Sequence, residues 1–370
     1  MTHSQRRAAL EARLRAAELD AMLVTDLINV RYLSGFTGSN AALLVFADDH
    51  DPVLATDGRY RTQAAQQAPD LEVAIERACG RYLAGRAAAT GARRLGFESH
   101  VVTVDGYDAL AAAAADAGSA ELVRAAQTVE ALREIKDAGE VALLRLACEA
   151  ADAALTELIA RGGLRPGRTE REVGRELEAL MLDHGGDGVS FETIVATGAN
   201  SAVPHHRPTE AVLAAGDFVK IDFGALVGGY HSDMTRTFVL GKAGKAAAWQ
   251  LEIYQLVSAA QQAGRVALEA GATLADVDAE ARRVIVDAGH GAHFGHGLGH
   301  GVGLQIHEAP GINATAAGTL LAGSVVTVEP GVYLPDRGGV RIEDTLVVAD
   351  ETSGSAPELL TRFPKELAIV

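Results

Sequence analysis

The stretch DFVKIDFGALVGGYHSDMTRTFVL, residues 217–240, decides how the second half of this chain is interpreted. Two runs rich in apolar and β-branched residues flank the pair Gly228-Gly229, and this pattern predicts an antiparallel hairpin. With the turn centred just before Gly228, Asp222 faces Asp233 across the two strands. Like charges directly opposite each other destabilise a sheet, so the pairing predicts a cation between the two carboxylates.

A second hairpin is predicted in VVTVEPGVYLPDRGGVRIEDTLVV, residues 325–348. If its turn is centred on Asp336, Glu329 lies opposite Glu343. Two hairpins, each with a pair of opposed acids, hint at an internal duplication. For any single acid, a solvated turn or strand end is the commoner setting. Four acids in this repeated arrangement favour a shared cationic partner instead.

The stretch GHGLGHGVGLQIHE, residues 295–308, adds three histidines. Its glycines would each cost a helix about 1 kcal/mol relative to alanine, so we expect an extended or looping segment. Four carboxylates and at least one imidazole favour two divalent cations held close together. Mn²⁺ suits such ligands, with Co²⁺ or Zn²⁺ as alternatives. Two such ions can bridge one water, lower its pKa and polarise a carbonyl group.

The composition narrows the class of protein. A chain of 370 residues usually folds as two domains, and 48% hydrophobic residues suffice for sizeable cores. The formal net charge of −16 argues against nucleic acid and anionic membrane surfaces as main partners. Two distant cysteines favour a reducing cytoplasm. The N-terminus lacks the apolar run of a signal peptide, and no apolar run of about 20 residues follows.

The order of the patterns predicts an α/β fold of two domains, with a smaller α/β domain over residues 1–128 and a second domain over 129–370. Strand and helix patterns alternate in the first. Long helical periodicity begins at residue 121, and the second domain is rich in hairpins, which favours a largely antiparallel sheet. Thr169 and Glu172 have capping-box spacing at a helix start. Four further helices are predicted over residues 5–19, 137–161, 246–270 and 275–288.

These motifs resemble those of the metallopeptidase family that includes Xaa-Pro aminopeptidases, prolidases and methionine aminopeptidases, with the pita-bread fold. IDFGALVGGYHSDMTRTF, GHGLGHGVGLQIHE, VEPGVY and GGVRIEDT stand in the family's order and spacing within residues 135–370. NVRYLSGFTGSNAALLV and TDGRYRTQAA resemble the creatinase/prolidase N-terminal domain. That domain and the PHH at residues 204–206 favour the proline-directed peptidases over methionine aminopeptidases.

The resemblance implies a C-terminal catalytic domain with a curved, largely antiparallel sheet and two divalent metal ions. Asp222 would bind one ion, His300 and Glu329 the other, and Asp233 and Glu343 would bridge both.

The resemblance also implies which residues would act on the substrate. Glu329 would help to deprotonate a metal-bridging water, and the resulting hydroxide would attack the peptide. His307 would hydrogen-bond the scissile carbonyl and its developing negative charge. His205 and His296 would line the pocket around the proline, and Arg341 would orient a site carboxylate or the substrate. Asp344 and Glu308 would fix the geometry of imidazole or carboxylate groups, whereas His184, His206 and His293 are interpreted as surface or structural residues.

The resulting prediction is an Xaa-Pro aminopeptidase, a cytoplasmic homodimer acting on peptides with proline at the second position. The alternative in the same class is an Xaa-Pro dipeptidase, or prolidase. Some prolidases carry an arginine just after the segment HE, where this chain has Gly311, so longer peptides are favoured. A creatinase-like amidinohydrolase and a non-catalytic binding relative rank lower, because all five ligand positions are intact.

Overall fold

The computed structural model describes residues 1–241, 246–350 and 355–370, which form two compact units. The units are Met1–Arg133 and Glu134–Val370, whereas the sequence analysis placed the boundary after residue 128. The short helix Glu130–Arg133 accounts for the difference. It belongs to the first unit because Nη1 of Arg133 donates a hydrogen bond of 2.8 Å to Oδ1 of Asn29.

The first unit is an α/β domain built on one mixed six-stranded sheet. Its helices are α1 His3–Ala16, α2 Leu27–Ser34, α3 Arg61–Gln67, α4 Cys79–Ala89, α5 Val104–Ala117 and α6 Glu130–Arg133. Its strands are β1 Ala21–Val24, β2 Ala41–Phe46, β3 Val53–Thr56, β4 Glu72–Ile75, β5 Arg94–Phe97 and β6 Glu121–Arg124. They lie in the order β4-β3-β2-β1-β5-β6. The helical periodicity predicted from residue 121 is wrong for β6, because β6 pairs in parallel with β5 at the sheet edge.

The second unit combines four long helices with antiparallel strands. The helices are α7 Ala138–Ala160, α8 Glu170–Asp183, α9 Ala248–Val266 and α10 Leu274–Asp287. The first strands are β7 Gly188–Val189, β8 Ile194–Thr197, β9 Phe218–Phe223, β10 Ala225–Val227, β11 Tyr230–His231 and β12 Met234–Val239. The later ones are β13 Gly299–Gly301, β14 Glu308–Ile312, β15 Val325–Val328, β16 Gly331–Leu334, β17 Gly338–Arg341, β18 Asp344–Val347 and β19 Glu358–Leu359. All pairings described between these strands are antiparallel, as predicted.

The second unit has two hydrophobic cores, each of which covers one part of the sheet structure. In one core, Leu155 of α7 and Leu177 of α8 pack with Ile221 of β9. In the other, Val257 of α9 and Ala281 of α10 pack with strands β15 to β18. The N-terminus of α8 has the predicted capping box of Thr169 and Glu172. The strands on which the predicted ligands lie are therefore backed by helices in both halves.

The first hairpin has a different register from the one predicted. Its turn is Gly228-Gly229, with φ of +56° and +83°, so Thr235 rather than Asp233 lies opposite Asp222. The pairing therefore differs by two residues from the predicted one. Because side chains alternate between the two faces of a sheet, a shift of two leaves each side chain on its predicted face. The two acids therefore still approach each other, although diagonally.

The second hairpin has the predicted register on both sides of the acids. Val328 pairs with Asp344, and Gly331 pairs with Arg341. Glu329 and Glu343 lie between these pairs, where the chain passes from one sheet to another. No helix in the described residues is long and apolar enough to cross a membrane.

Candidate metal centre

The predicted ligands lie on or beside strands of the second unit, and three of them occupy breaks between strands. Asp233 lies between β11 and β12, Glu329 between β15 and β16, and Glu343 between β17 and β18. Asp222 and His300 lie within β9 and β13. A residue in such a break is free of the strict side-to-side alternation of a continuous strand. Its side chain can therefore turn towards a common centre.

The structure brings these side chains together. Nε2 of His300 lies 3.5 Å from Oδ2 of Asp233 and 3.5 Å from Oε1 of Glu329. One ligand atom each from Asp233, His300 and Glu343 lie within 4.8 Å of one another. Oγ1 of Thr235 donates a hydrogen bond of 2.7 Å to Oε2 of Glu343 and holds that carboxylate in place.

The carboxylates of this cluster are buried close to one another, and their pKa values are raised. Burial raises the pKa of Asp233, and the negative charge of Glu343 raises it further. Burial and the charge of Glu329 do the same for the pKa of Glu343. The pKa of Glu329 is raised to about 7, first by burial. Acids so placed either take up protons or bind positive charge, because ionised carboxylates at this spacing repel one another.

His300 and Asp222 also fit a cation. Burial lowers the pKa of His300 to about 4, so its imidazole is neutral at pH 7. Its Nδ1–H donates to the carbonyl oxygen of Gly301 at 3.0 Å, which leaves the lone pair of Nε2 towards the carboxylates. Oδ1 of Asp222 is buried without a hydrogen-bond partner among the described residues. Both atoms are acceptors without a donor, as expected of ligands to a metal ion.

Arg341 is the buried cation beside these carboxylates. Its Nη2 donates to Oδ2 of Asp222, and its Nε donates to Oγ1 of Thr235 at 2.9 Å and lies 3.9 Å from Oε2 of Glu329. Since Thr235 in turn donates to Glu343, Arg341 contacts or indirectly supports three of the five predicted ligands. Its position fits the predicted role of orienting a site carboxylate.

His296 is connected to Arg341 through the hydroxyl of Tyr333. The sequence analysis did not identify Tyr333 as a site residue. Nη1 of Arg341 donates to the Tyr333 hydroxyl at 2.9 Å, and that hydroxyl lies 2.9 Å from Nε2 of His296. Nδ1 of His296 donates to the carbonyl oxygen of Gly297 at 2.8 Å. Burial lowers the pKa of His296 to about 4, so the ring is neutral and Nε2 accepts from Tyr333. Nothing in the local sequence around Tyr333 marks this contact.

A cavity of about 250 Å³ opens over the cluster. All five predicted ligands line it, and so do His205 and His307. The ring of His307 lies 4.3 Å from that of His300, between centroids. His296 and Arg341 are not among its described lining residues. His206, which the sequence analysis interpreted as a surface or structural residue, also lines it, as do five residues that the sequence analysis missed: Phe191, Glu192, Ile194, Arg207 and Ile306.

Of these five residues, only Arg207 carried a signal in the sequence, because it directly follows the PHH segment. Its Nε lies 3.1 Å from Oε2 of Glu192, and both side chains are largely exposed. Phe191, Ile194 and Ile306 give the cavity an apolar wall, but apolar residues at such positions are common in any strand or loop.

Asp344 and Glu308, predicted to fix the geometry of imidazole or carboxylate groups, both contact cations. Asp344 receives a hydrogen bond of 2.9 Å from Nη2 of Arg236. Nη1 of the same arginine donates to the carbonyl oxygen of Glu343, so the backbone of that ligand is fixed. Glu308 forms an ion pair with Lys136.

Two histidines interpreted as surface or structural residues lie beside acids that are not among the predicted ligands. Nε2 of His206 lies 2.8 Å from Oε2 of the buried Glu170, and Nε2 of His184 lies 2.6 Å from Glu157. The third, His293, lies beside His290, with 3.3 Å between their Nδ1 atoms.

Comparison with known proteins gives two family matches. Residues 142–350 match the model of metallopeptidase family M24, and residues 6–135 match the creatinase/prolidase N-terminal domain. The uncharacterized peptidase YqhT of Bacillus subtilis is 41% identical over 95% of this chain and 96% of its own length.

Two solved structures share the whole architecture. The Xaa-Pro dipeptidase from Bacillus anthracis has a TM-score of 0.92 and 38% identity, covering 100% of both chains. The X-Pro aminopeptidase from Thermotoga maritima has a TM-score of 0.85 and 32% identity, covering 95% of this chain and 98% of its own.

Proposed function

Because the chain belongs to metallopeptidase family M24, we propose that this metallo-exopeptidase is an Xaa-Pro aminopeptidase. It removes the first residue from peptides that have proline at the second position. The observation that carries the proposal is the convergence of four buried or half-buried carboxylates and a neutral imidazole on one cavity. The proposal extends to a cytoplasmic homodimer. Both cysteines are free and buried, which fits a reducing compartment.

We propose two divalent ions per chain, with Mn²⁺ as the native metal and Co²⁺ or Zn²⁺ as alternatives. When bound, such ions act as Lewis acids that polarise a carbonyl group and acidify water. The proposed ligands are Asp222, Asp233, His300, Glu329 and Glu343. The protonless Nε2 of His300, the raised acid pKa values and the unpartnered oxygen of Asp222 support this set.

The chain's own residues move the protons and position the substrate. The pKa of Glu329, raised to about 7, suits a group that takes a proton from the attacking water and returns it to the proline nitrogen. His307 is exposed in the cavity, and partial burial together with the charge of His205 lowers its pKa. As a neutral ring it has one N–H, which we assign to the oxygen of the scissile carbonyl.

The proline side of the bond needs recognition by shape. The nitrogen of the bond before proline carries no hydrogen, so an enzyme cannot grip it by a backbone N–H group. We propose that His205 and the apolar side chains of Phe191 and Ile306 form the wall against the proline ring. His296 does not line the cavity among the described residues, and we assign it to orienting Tyr333 and Arg341.

An Xaa-Pro dipeptidase is the second candidate. Similarity to the Xaa-Pro dipeptidase from Bacillus anthracis favours it, whereas similarity to the X-Pro aminopeptidase from Thermotoga maritima favours the aminopeptidase. Gly311 offers no side chain to bind the carboxylate of a free dipeptide, which favours longer peptides.

The deciding experiment compares kcat/KM for one Xaa-Pro dipeptide with kcat/KM for the same dipeptide extended by several residues. The metal-saturated enzyme is used for both, and a peptide with alanine in place of proline is the control. We expect the extended peptide to be the better substrate. A strong preference for the free dipeptide would replace the aminopeptidase proposal with the dipeptidase.

A further inference from the structure

Lys220 is a fully buried lysine on β9, two residues before Asp222. Its Nζ donates hydrogen bonds of 2.6 Å to the carbonyl oxygen of Val203 and 3.1 Å to that of Pro204. These two residues directly precede His205, which lines the cavity. The side chain therefore connects the strand that bears a proposed ligand to the loop that bears a proposed substrate-binding residue.

Burying a lysine amine is unfavourable unless it is paired and hydrogen-bonded. Among the described residues no carboxylate forms an ion pair with Nζ of Lys220, and the charge of Asp222 compensates only partly for the burial. The polar partners are the two carbonyl oxygens, and the ring of Tyr333 lies 5.1 Å away, measured to its centroid. An ammonium group has three N–H donors and a neutral amine has two, so both hydrogen bonds form in either state.

The loop is held on both sides of His205. Before it, Nη1 of Arg341 donates a second hydrogen bond to Pro204, at 3.2 Å. After it, Oε2 of Glu170 lies 2.8 Å from Nε2 of His206 and accepts a hydrogen bond of 2.9 Å from the backbone of Thr209. His205 itself is exposed, and its side chain forms no hydrogen bond with the described residues. Its place in the cavity is therefore set by the backbone on either side.

We propose that Lys220 is a positioning residue for substrate binding, which fixes His205 by holding the carbonyl groups of Val203 and Pro204. The inference rests on the proposed function, because it assumes that His205 contacts the peptide. Removing the amine takes away the hydrogen bond to the carbonyl oxygen of Val203 and leaves that of Pro204 with the bond from Arg341, so the loop is held less firmly and moves. The proximate effect falls on His205 rather than on the metal ligands.

The test is a double-mutant cycle of Lys220→Met and His205→Ala, measured on whichever Xaa-Pro peptide the wild-type enzyme hydrolyses. We expect Lys220→Met to lower kcat/KM about 10-fold, chiefly through KM, with the metal content unchanged. Because Lys220 acts through His205, the double variant should lie within about twofold of His205→Ala alone. Additive losses in kcat/KM would overturn the proposal, as would loss of metal from Lys220→Met.

The matched control is Tyr254→Phe, which removes another buried side-chain hydrogen bond to a backbone carbonyl, to Lys365 at 2.8 Å. Tyr254→Phe should lower the melting temperature without changing kcat/KM. Combined with His205→Ala, it should add no further loss of kcat/KM. If Lys220→Met is not recovered folded, Lys220→Gln replaces it, since its amide keeps two N–H donors on a shorter side chain. The losses in kcat/KM from Lys220→Gln and His205→Ala must then be non-additive in the same way. Failure of the proposed function is separately visible, because the wild-type enzyme would then cleave no Xaa-Pro peptide.

Discussion

Nζ of Lys136 lies 2.7 Å from Oε1 of Glu308, in an ion pair whose side chains are 1% and 4% exposed. Glu308 directly follows His307, and its Oε2 accepts a hydrogen bond of 3.3 Å from the backbone of Gln305. A Cβ atom on Gly303 would lie 2.1 Å from Oε1 of Glu308, so a larger residue there would displace this carboxylate from Lys136. The ion pair thus fixes the short loop on which His307 enters the cavity.

Glu308→Gln should destabilise the protein strongly, because it leaves the amine of Lys136 buried without its counter-charge. Removing one partner of a buried ion pair costs about 3–5 kcal/mol of unfolding free energy. Urea unfolding of the metal-free protein measures the loss. The double variant Lys136→Met/Glu308→Gln should lose clearly less than the sum of the two single variants, and an additive result would show that the pair is not coupled.

Asp233→Ala should lose at least one metal ion and nearly all activity, because the proposed role of this carboxylate is to bind both ions. Elemental analysis after metal saturation and gel filtration gives the ion count per chain. Asp183→Ala, a change at an acid outside the cluster, is the control and should keep the wild-type count. Retention of two ions with a normal kcat in Asp233→Ala would refute the ligand set.

His307→Ala should fold and bind the wild-type number of ions, yet lose about 10²–10³-fold in kcat, as expected when one donor to a developing negative charge is removed. Steady-state kinetics and elemental analysis on the same preparation separate the two effects. An active variant, or one that fails to retain metal, would show that His307 has another role.

The metal-free protein should become less stable as the pH rises from about 5 to about 7. Burial raises the pKa of Glu329 from the ordinary 4.5 to about 7, so the folded state binds a proton that the unfolded chain has already released. This group therefore makes stability fall with rising pH across this window, by an amount of the order of 3 kcal/mol.

Thermal unfolding in the presence of a chelator, at pH 5 and at pH 7.5, measures this dependence. Glu329→Gln does not titrate, so its slope with pH should be shallower. Saturation with Mn²⁺ should remove the fall, since a cation compensates the carboxylate charge. A slope in Glu329→Gln equal to that of the wild-type protein would assign the effect to another group.

The hairpins show how far sequence patterns predict this fold. The alternation of apolar residues correctly predicts two antiparallel hairpins and the register around Glu329 and Glu343. The first turn was placed one residue too early. Two-residue hairpin turns favour positive φ at both central positions, and Gly228-Gly229 meets that need without strain, so the glycine pair itself marks the turn.

The contacts among distant residues were beyond the local patterns. The chain Arg341–Tyr333–His296 and the bonds from Lys220 to the loop before His205 depend on the packing of strands from both halves of the unit. Strand β6 shows the same limit. Its four residues stand at the start of a helical pattern in the sequence. They form a strand because they pair with the neighbouring β5.

The position of Asp233, Glu329 and Glu343 in breaks between strands has a mechanical consequence. Each lies where the chain leaves one sheet and enters another, so their carboxylates join segments that local hydrogen bonding leaves separate. A cation shared by them would link residues 233 and 343 across a long stretch of chain. The unfolded chain holds no such site, so the free energy of binding would stabilise the folded state alone. The proposed metal would then hold the two halves of the unit together in addition to its proposed role in the reaction.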